Sequence, residues 1–248
     1  MIDRSHPIGK LANFRDLGSL QSASGKIRPG QVFRSDDLAH IDDLEAERLT
    51  DIGISLIIDL RSSDEVETVG RGPLAASDIR YENVSLLRPE LSGIQTEELL
   101  DREFTNHDLG LWYSKVFMDG LERIRTGLEL VASAKGPVLF HCALGKDRTG
   151  IFAASLLAVL GADRKTIVQD YTRTNENIAK VLARFSVLQP YWSEELIVKS
   201  GALMRADQEA MEIMLDSIGS EQEIVENLNK AGLGASVQKE LRERLAAP

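Results

Sequence analysis

Two short apolar runs, Ser55-Leu-Ile-Ile-Asp-Leu60 and Pro137-Val-Leu-Phe-His-Cys142, constrain what this chain can fold into more than any other feature of it. Each is only six residues long and follows a glycine, Gly53 or Gly136, so each reads as a short buried strand rather than a helix. Between them Val116, Leu121, Ile124, Leu128 and Val131 recur at helical spacing, which predicts one long helix over Leu111 to Lys135. Asp42-x-x-Glu45 and Ser62-x-x-Glu65 fit capping boxes and mark two helix starts. With further short strands at Val32 to Arg34 and Ile79 to Leu86, the alternation predicts an α/β fold: a small, mostly parallel sheet flanked by helices.

After Thr149 the pattern is amphipathic helix, interrupted near Pro190, Gly201, Gly219 and Gly232 to Gly234, and no strand is expected there. Ser220-x-x-Glu223 caps one of these helices and Leu241-Arg-Glu-Arg-Leu245 belongs to another. The 248 residues therefore read as one domain, an α/β core over 1–174 with a helical extension over 175–248 packed on it. Ile178, Val181, Leu182, Phe185 and Leu188 give the first part of the extension an apolar stripe, read either as core packing or as the underside of a lid.

Charge and composition narrow the function. A formal net charge of -10 argues against a nucleic-acid partner, although an anionic small substrate is still allowed where cationic side chains cluster. No apolar run is long enough to span a bilayer, and the opening residues MIDRSHPIGK contain no apolar signal core. Cytoplasmic residence is the expectation, with secretion by a route that uses no signal left open. One cysteine forbids an internal disulfide and a cysteine-cluster zinc site, and with only four histidines neither metal nor other cofactor is expected.

That single cysteine sits where chemistry is plausible. His141-Cys-Ala-Leu-Gly-Lys-Asp-Arg-Thr-Gly150 follows a buried strand and leads into a helix over Ile151 to Leu160. In open α/β sheets, ligands bind at such strand-to-helix turns, because the first N–H groups of the helix are unpaired and point at the opening. Five residues, Ala143, Leu144, Gly145, Lys146 and Asp147, separate Cys142 from Arg148. A loop of that size can curl around one phosphoryl group, its N–H groups cradling the oxygens and the arginine fork gripping two of them. The helix N-terminus and the cations Arg148 and Lys146 favour the thiolate form of Cys142, the nucleophilic form. Thr149 can donate its hydroxyl to that thiolate, and His141 reads as a support for the loop rather than a base. His-Cys, Gly, Arg and Thr at these offsets would arise by accident in roughly one chain in 10⁴ to 10⁵ of this length, which sets aside the reading of Cys142 as an ordinary buried hydrophobe.

The pattern H-C-x5-R-T resembles the signature of protein tyrosine and dual-specificity phosphatases, and the fuller HCALGKDRTG resembles a bacterial branch of that superfamily that includes a secreted mycobacterial tyrosine phosphatase. Asn13-Phe-Arg-Asp-Leu-Gly18, Phe33-Arg-Ser35 with Leu38, Asp59-Leu-Arg61, Asp170-Tyr171, Thr174-Asn175 and Ile218-Gly-Ser220 look like further blocks of the same branch. The resemblance implies a phosphotyrosine phosphatase-like fold with a phosphate loop over 141–149, followed by helices able to cover the site. It implies hydrolysis of phosphate monoesters through a phosphocysteine on Cys142, acting on phosphorylated protein or on phosphoinositides. Lysine after the loop glycine also occurs in lipid phosphatases, so Lys146 is a candidate for a second phosphate. No Trp-Pro-Asp motif supplies the general acid. Asp147 is the first candidate because this branch places an aspartate there, Asp59 the second, and Asp108 or an aspartate on the covering helices a third. Arg15, Asp16 and Arg34 either reach the phosphate or form a structural ion pair.

Three other readings remain at this level. A rhodanese-like sulfurtransferase usually has a loop one residue shorter, and an arsenate reductase needs further cysteines. A non-catalytic phosphate-binding module would be expected to lose Cys142 or Arg148.

Overall fold

The computed structural model describes residues 11–87, 104–188 and 201–247, with the side chains at 184–188 and 247 outside that description. Eight strands are present among these residues: β1 Arg15–Asp16, β2 Gln21–Ser22, β3 Gly25–Ile27, β4 Val32–Ser35, β5 Leu56–Asp59, β6 Arg80–Asn83, β7 Val138–His141 and β8 Ala246–Ala247. The helices are α1 Asp43–Ile52, α2 Ser63–Val69, α3 Asn106–Asp119, α4 Leu121–Ser133, α5 Asp147–Val159, α6 Arg164–Thr172, α7 Ile178–Leu188, α8 Gln208–Ile218, α9 Glu221–Lys230 and α10 Ala235–Leu245.

The main sheet has the order β1-β4-β7-β5-β6. Its four longer strands run parallel, and β1 joins antiparallel at one edge. The central strands are buried along their whole length, which is why they read as continuous apolar runs. Alternate residues still face opposite layers. Leu56, Ile58, Val138 and Phe140 belong to the larger cluster, which includes Val116, Leu128 and Phe152. Phe33, Ile57 and Leu139 pack with Leu49 and Ile52 of α1 on the other face. In register, Ser35, His141 and Asp59 lie side by side, so three parallel strands deliver their carboxyl ends to one edge.

Both expected capping boxes are formed, Asp42 with Glu45 and Ser62 with Glu65, and Ser220 caps α9. Two expectations need correction. The single helix over Leu111 to Lys135 is two helices, α3 and α4, turning at Gly120, where a Cβ would stand 2.7 Å from the Val116 carbonyl oxygen. Helical periodicity continues through such a break, so the sequence pattern does not reveal it. The C-terminal region also contains a short strand: β8 pairs with β3 in a second sheet of order β2-β3-β8, helped by Arg28 N–H donating to Leu245 O at 2.6 Å.

The C-terminal helices share the main core. Met211 and Met214 of α8, Leu228 of α9 and Leu241 and Leu245 of α10 join the cluster that holds Ile58 and Phe140. In α7, Val181 is buried and Leu182 half-buried against that cluster, while Phe185 and Leu188 lie outside the described side chains. The lid reading concerns a stretch whose residues 189–200 are also outside the description. Among the described residues, no helix is long and apolar enough to cross a membrane.

Candidate active site

The chain leaves β7 at His141, turns through Cys142 to Lys146 and enters α5 at Asp147. The turn carries its carbonyls outward. Ala143 O accepts from Asp37 N–H at 3.0 Å, and Leu144 O accepts from the Asn13 side-chain amide at 3.2 Å. Gly145 O accepts from Asn13 Nδ2 at 2.9 Å and from Arg34 Nη2 at 2.7 Å. In a planar trans peptide the N–H points opposite to the C=O, so the N–H groups of Leu144, Gly145 and Lys146 face the inside of the turn. Gly145 makes the turn possible: its φ is +65°, and a Cβ would lie 2.4 Å from Ser35 O. Lys146 is the N-cap of α5 but makes no side-chain cap bond, so the N–H groups of the first turn are left for a ligand.

Cys142 and Arg148 stand at the two ends of this cradle. Cys142 is 1% exposed. Arg148 donates to both oxygens of Glu65, one contact at 2.9 Å and the other shorter. That pairing uses two of the five guanidinium N–H groups and leaves the remainder for a phosphoryl group. Burial would lower the Arg148 pKa, but Glu65 and the neighbouring Cys142 charge hold it above its ordinary value. For Glu65, burial works upward and is outweighed by Arg148, leaving the carboxyl below its usual range. Sequence reasoning recognised Glu65 only as a cap of α2. The available signal was positional: Ser62-x-x-Glu65 begins directly after β5, on the sheet edge from which the loop also springs.

The two aspartates proposed as the acid have different surroundings. Asp59 is completely buried and saturated. It accepts from Arg61 N, Nε and Nη2 and from Tyr81 OH at 2.8 Å, with His141 Nε2 at 3.6 Å. Burial alone would raise its pKa, yet His141 and Arg61 hold it far below the carboxylate range. Asp147 has a side chain 20% exposed. Its Oδ1 accepts from Lys146 Nζ at 2.9 Å and from Tyr113 OH, which in turn meets Tyr171 OH at 2.8 Å. Burial and Asp147 push the Tyr113 pKa well above its usual value, so Tyr113 keeps its proton and donates it to Asp147 Oδ1. Asp108, the third candidate, accepts from Thr105 N–H at the start of α3 and serves as a cap.

Several other expectations are redirected. The Lys146 ammonium is completely buried and bonds Asp147 and, at 3.1 Å, Arg205 O, so it does not face a second phosphate. A long flexible side chain takes the nearest buried acceptors, and sequence cannot indicate which way it turns. The Thr149 hydroxyl is buried and has no hydrogen-bond partner among the described residues, so the expected bond to the thiolate is not formed. His141 Nδ1 lies 3.2 Å from Cys142 O. Arg15 binds Asp170, Thr174 and Asn13, and burial with nearby Arg34 lowers its pKa to about 10. Asp16 closes a turn by accepting from Gly18 and Gly30 N–H. Among the described residues, no group of three or more His, Cys, Asp or Glu is placed to hold a metal ion.

A model of the tyrosine phosphatase family matches residues 6–247. The triple specificity protein phosphatase PtpB of Mycobacterium tuberculosis is 31% identical over 210 residues, covering 74% of this chain and 74% of that protein. A putative tyrosine-protein phosphatase of Cupriavidus necator is 32% identical over 177 residues, 68% of this chain and 63% of the relative. A tyrosine-protein phosphatase of Nostoc commune is 34% identical over 146 residues, 58% of this chain and 48% of its own length. The crystal structure of Pseudomonas aeruginosa TpbA is 15% identical, with a TM-score of 0.29 over 75% of this chain and 86% of that one.

Proposed function

The chain belongs to the tyrosine phosphatase family, and on that premise we propose that it hydrolyses phosphotyrosine through a phosphocysteine on Cys142, with Arg148 gripping the phosphoryl group and Asp147 handling the proton. The observation that carries this reading is the cradle itself: three successive outward carbonyls, with the chain's one cysteine before them and a Glu65-held arginine after them. A phosphate-binding module alone would not need the thiol, and a sulfurtransferase would not need the arginine fork.

The Cys142 thiolate attacks phosphorus while the P–O bond to the leaving group breaks. Arg148 and the inward N–H groups stabilise the charge on the equatorial oxygens. Asp147, entering the step with a proton on Oδ2, the oxygen not engaged by Lys146 and Tyr113, gives that proton to the departing phenolate oxygen. Water then attacks the phosphocysteine, Asp147 takes one of its protons, the P–S bond breaks, and the thiolate and inorganic phosphate are released. Asp59 instead orients Arg61 and His141 at the strand ends.

The same site is the candidate for phosphoserine, phosphothreonine and phosphoinositide hydrolysis. The buried position of Lys146 removes the side chain that pointed most directly to a second ring phosphate. Phosphotyrosine is therefore the favoured substrate. Cys142→Ser is the decisive test: hydrolysis of p-nitrophenyl phosphate disappears while phosphate binding and the fold are retained. Wild-type turnover in that variant would overturn the reading.

A further inference from the structure

The cradle works only if its peptide planes keep their orientation, and two side chains far away in sequence hold them. We infer that Asn13 and Arg34 are positioning residues of the phosphate loop: from behind it, they keep the N–H groups of Gly145 and Lys146 turned toward the phosphoryl group and thiolate. The inference rests on the phosphatase reading of the loop and adds to it the N-terminal segment as part of the machinery.

Asn13 Nδ2 spans two consecutive carbonyls, those of Leu144 and Gly145, and Arg34 Nη2 reaches the second. Both side chains are themselves fixed. Asn13 N–H donates to Asp36 Oδ1 at 3.0 Å, and its amide oxygen accepts from Arg15 Nη1. Arg34 Nη1 donates to Asp170 Oδ2, and Arg15 Nε holds the other oxygen of Asp170 at 3.0 Å. Asn13, Arg34 and Asp170 are 3%, 0% and 1% exposed, and Asn13 and Arg34 meet the loop on its carbonyl side, opposite the N–H groups that face the phosphoryl group.

Rotation of one peptide plane would replace an inward N–H by an inward C=O, turning a donor to the oxyanion into a repulsive dipole. Gly145 lowers the steric barrier to such a rotation, because glycine accepts backbone angles on both sides of φ = 0. The residue that permits the turn therefore also makes it prone to flip, and the lock sits on the two peptides that flank it. The bond from Arg34 is charge-assisted and polarises the Gly145–Lys146 peptide, which strengthens its N–H as a donor on the other side. Asp37 N–H performs the same service for Ala143 O through backbone alone.

The test is Asn13→Leu, similar in size but without donors, with Asn13→Ser as the milder variant should the first fail to fold. Three readouts are taken: the vanadate inhibition constant, the pH profile of Cys142 alkylation by iodoacetamide, and thermal unfolding. The expected result is vanadate binding weakened at least about tenfold and an alkylation profile displaced to higher pH, in a protein that still unfolds cooperatively. Unchanged vanadate affinity and alkylation profile, with only a lower unfolding temperature, would reduce Asn13 to a structural residue and overturn the inference. Failure of the phosphatase reading looks different: the wild-type protein would neither turn over p-nitrophenyl phosphate nor bind vanadate.

Discussion

The side of the phosphate loop that faces substrate and the side that faces the protein are held by the same chemistry, arginine with carboxylate, under opposite conditions. On the substrate side, Arg148 and Glu65 have side chains 11% and 33% exposed, and Asp147 bonds Lys146 and Tyr113 through Oδ1, with no partner on Oδ2 among the described residues. On the inner side, Arg34, Arg15 and Asp170 are sealed, with side chains at most 9% exposed. A pair whose carboxylate is one-third exposed can give up that partner to water or another anion at modest cost, whereas a buried carboxylate between two arginines loses heavily if either partner goes. The outer contacts therefore suit a group that must accept and release phosphate in each cycle. The inner contacts suit a group that must never move.

This contrast predicts that substitutions divide by side. The largest effect is expected from Asp170→Asn, which leaves two buried arginines uncompensated and should cost about 3–5 kcal/mol in the unfolding free energy measured by urea titration. Its pH dependence follows from the sign of the shift: burial would raise the Asp170 pKa, but Arg34 and Arg15 hold it below the ordinary value. The stability it contributes is fully present above the unfolded carboxylate pKa of about 3.9 and is lost as pH falls through the lower folded value. The gap between wild type and variant should thus be complete at pH 7 and narrow below about pH 4. A gap independent of pH would contradict the assigned ion cluster.

Arg148→Lys comes next. A lysine cannot satisfy Glu65 and a phosphoryl group with one planar fork, so turnover should fall about 10²- to 10³-fold with little change in urea midpoint. Near-normal turnover would count against the cradle. Asp147→Asn should lower turnover by about 10² on phenyl phosphate or phosphotyrosine, and much less on p-nitrophenyl phosphate, whose leaving group needs little protonation. Asp59→Asn should instead lower stability without that leaving-group dependence. If the two variants exchange behaviour, the acid is Asp59. The smallest effect is none: treatment with EDTA should leave the rate unchanged, and loss of activity restored by a divalent cation would refute metal independence.

Much of the scaffold was readable locally. The strand ending at His141, the turn that requires Gly145, the helix that follows and the capping boxes at Asp42 and Ser62 all depend on interactions within a few residues, and a linear pattern records such interactions. The same locality explains the misreadings. The break at Gly120 leaves helical periodicity intact, and β8 is two alanines whose strand geometry comes only from pairing with β3.

By itself, then, the sequence determined the α/β alternation and the place of Cys142 and Arg148 at a strand-to-helix turn. The reason is that periodicity, caps and glycine sterics act at short range. Only the tertiary structure decided which partners the long polar side chains take. Asn13 reaches a carbonyl 131 residues away, Arg148 pairs with a glutamate 83 residues away, and Arg34 with an aspartate 136 residues away. It also decided that both oxygens of Asp59 are bonded while Asp147 is held through Oδ1 alone among the described residues, and that Lys146 turns inward. Flexible charged side chains choose among acceptors by proximity and burial, and both exist only once the chain has folded.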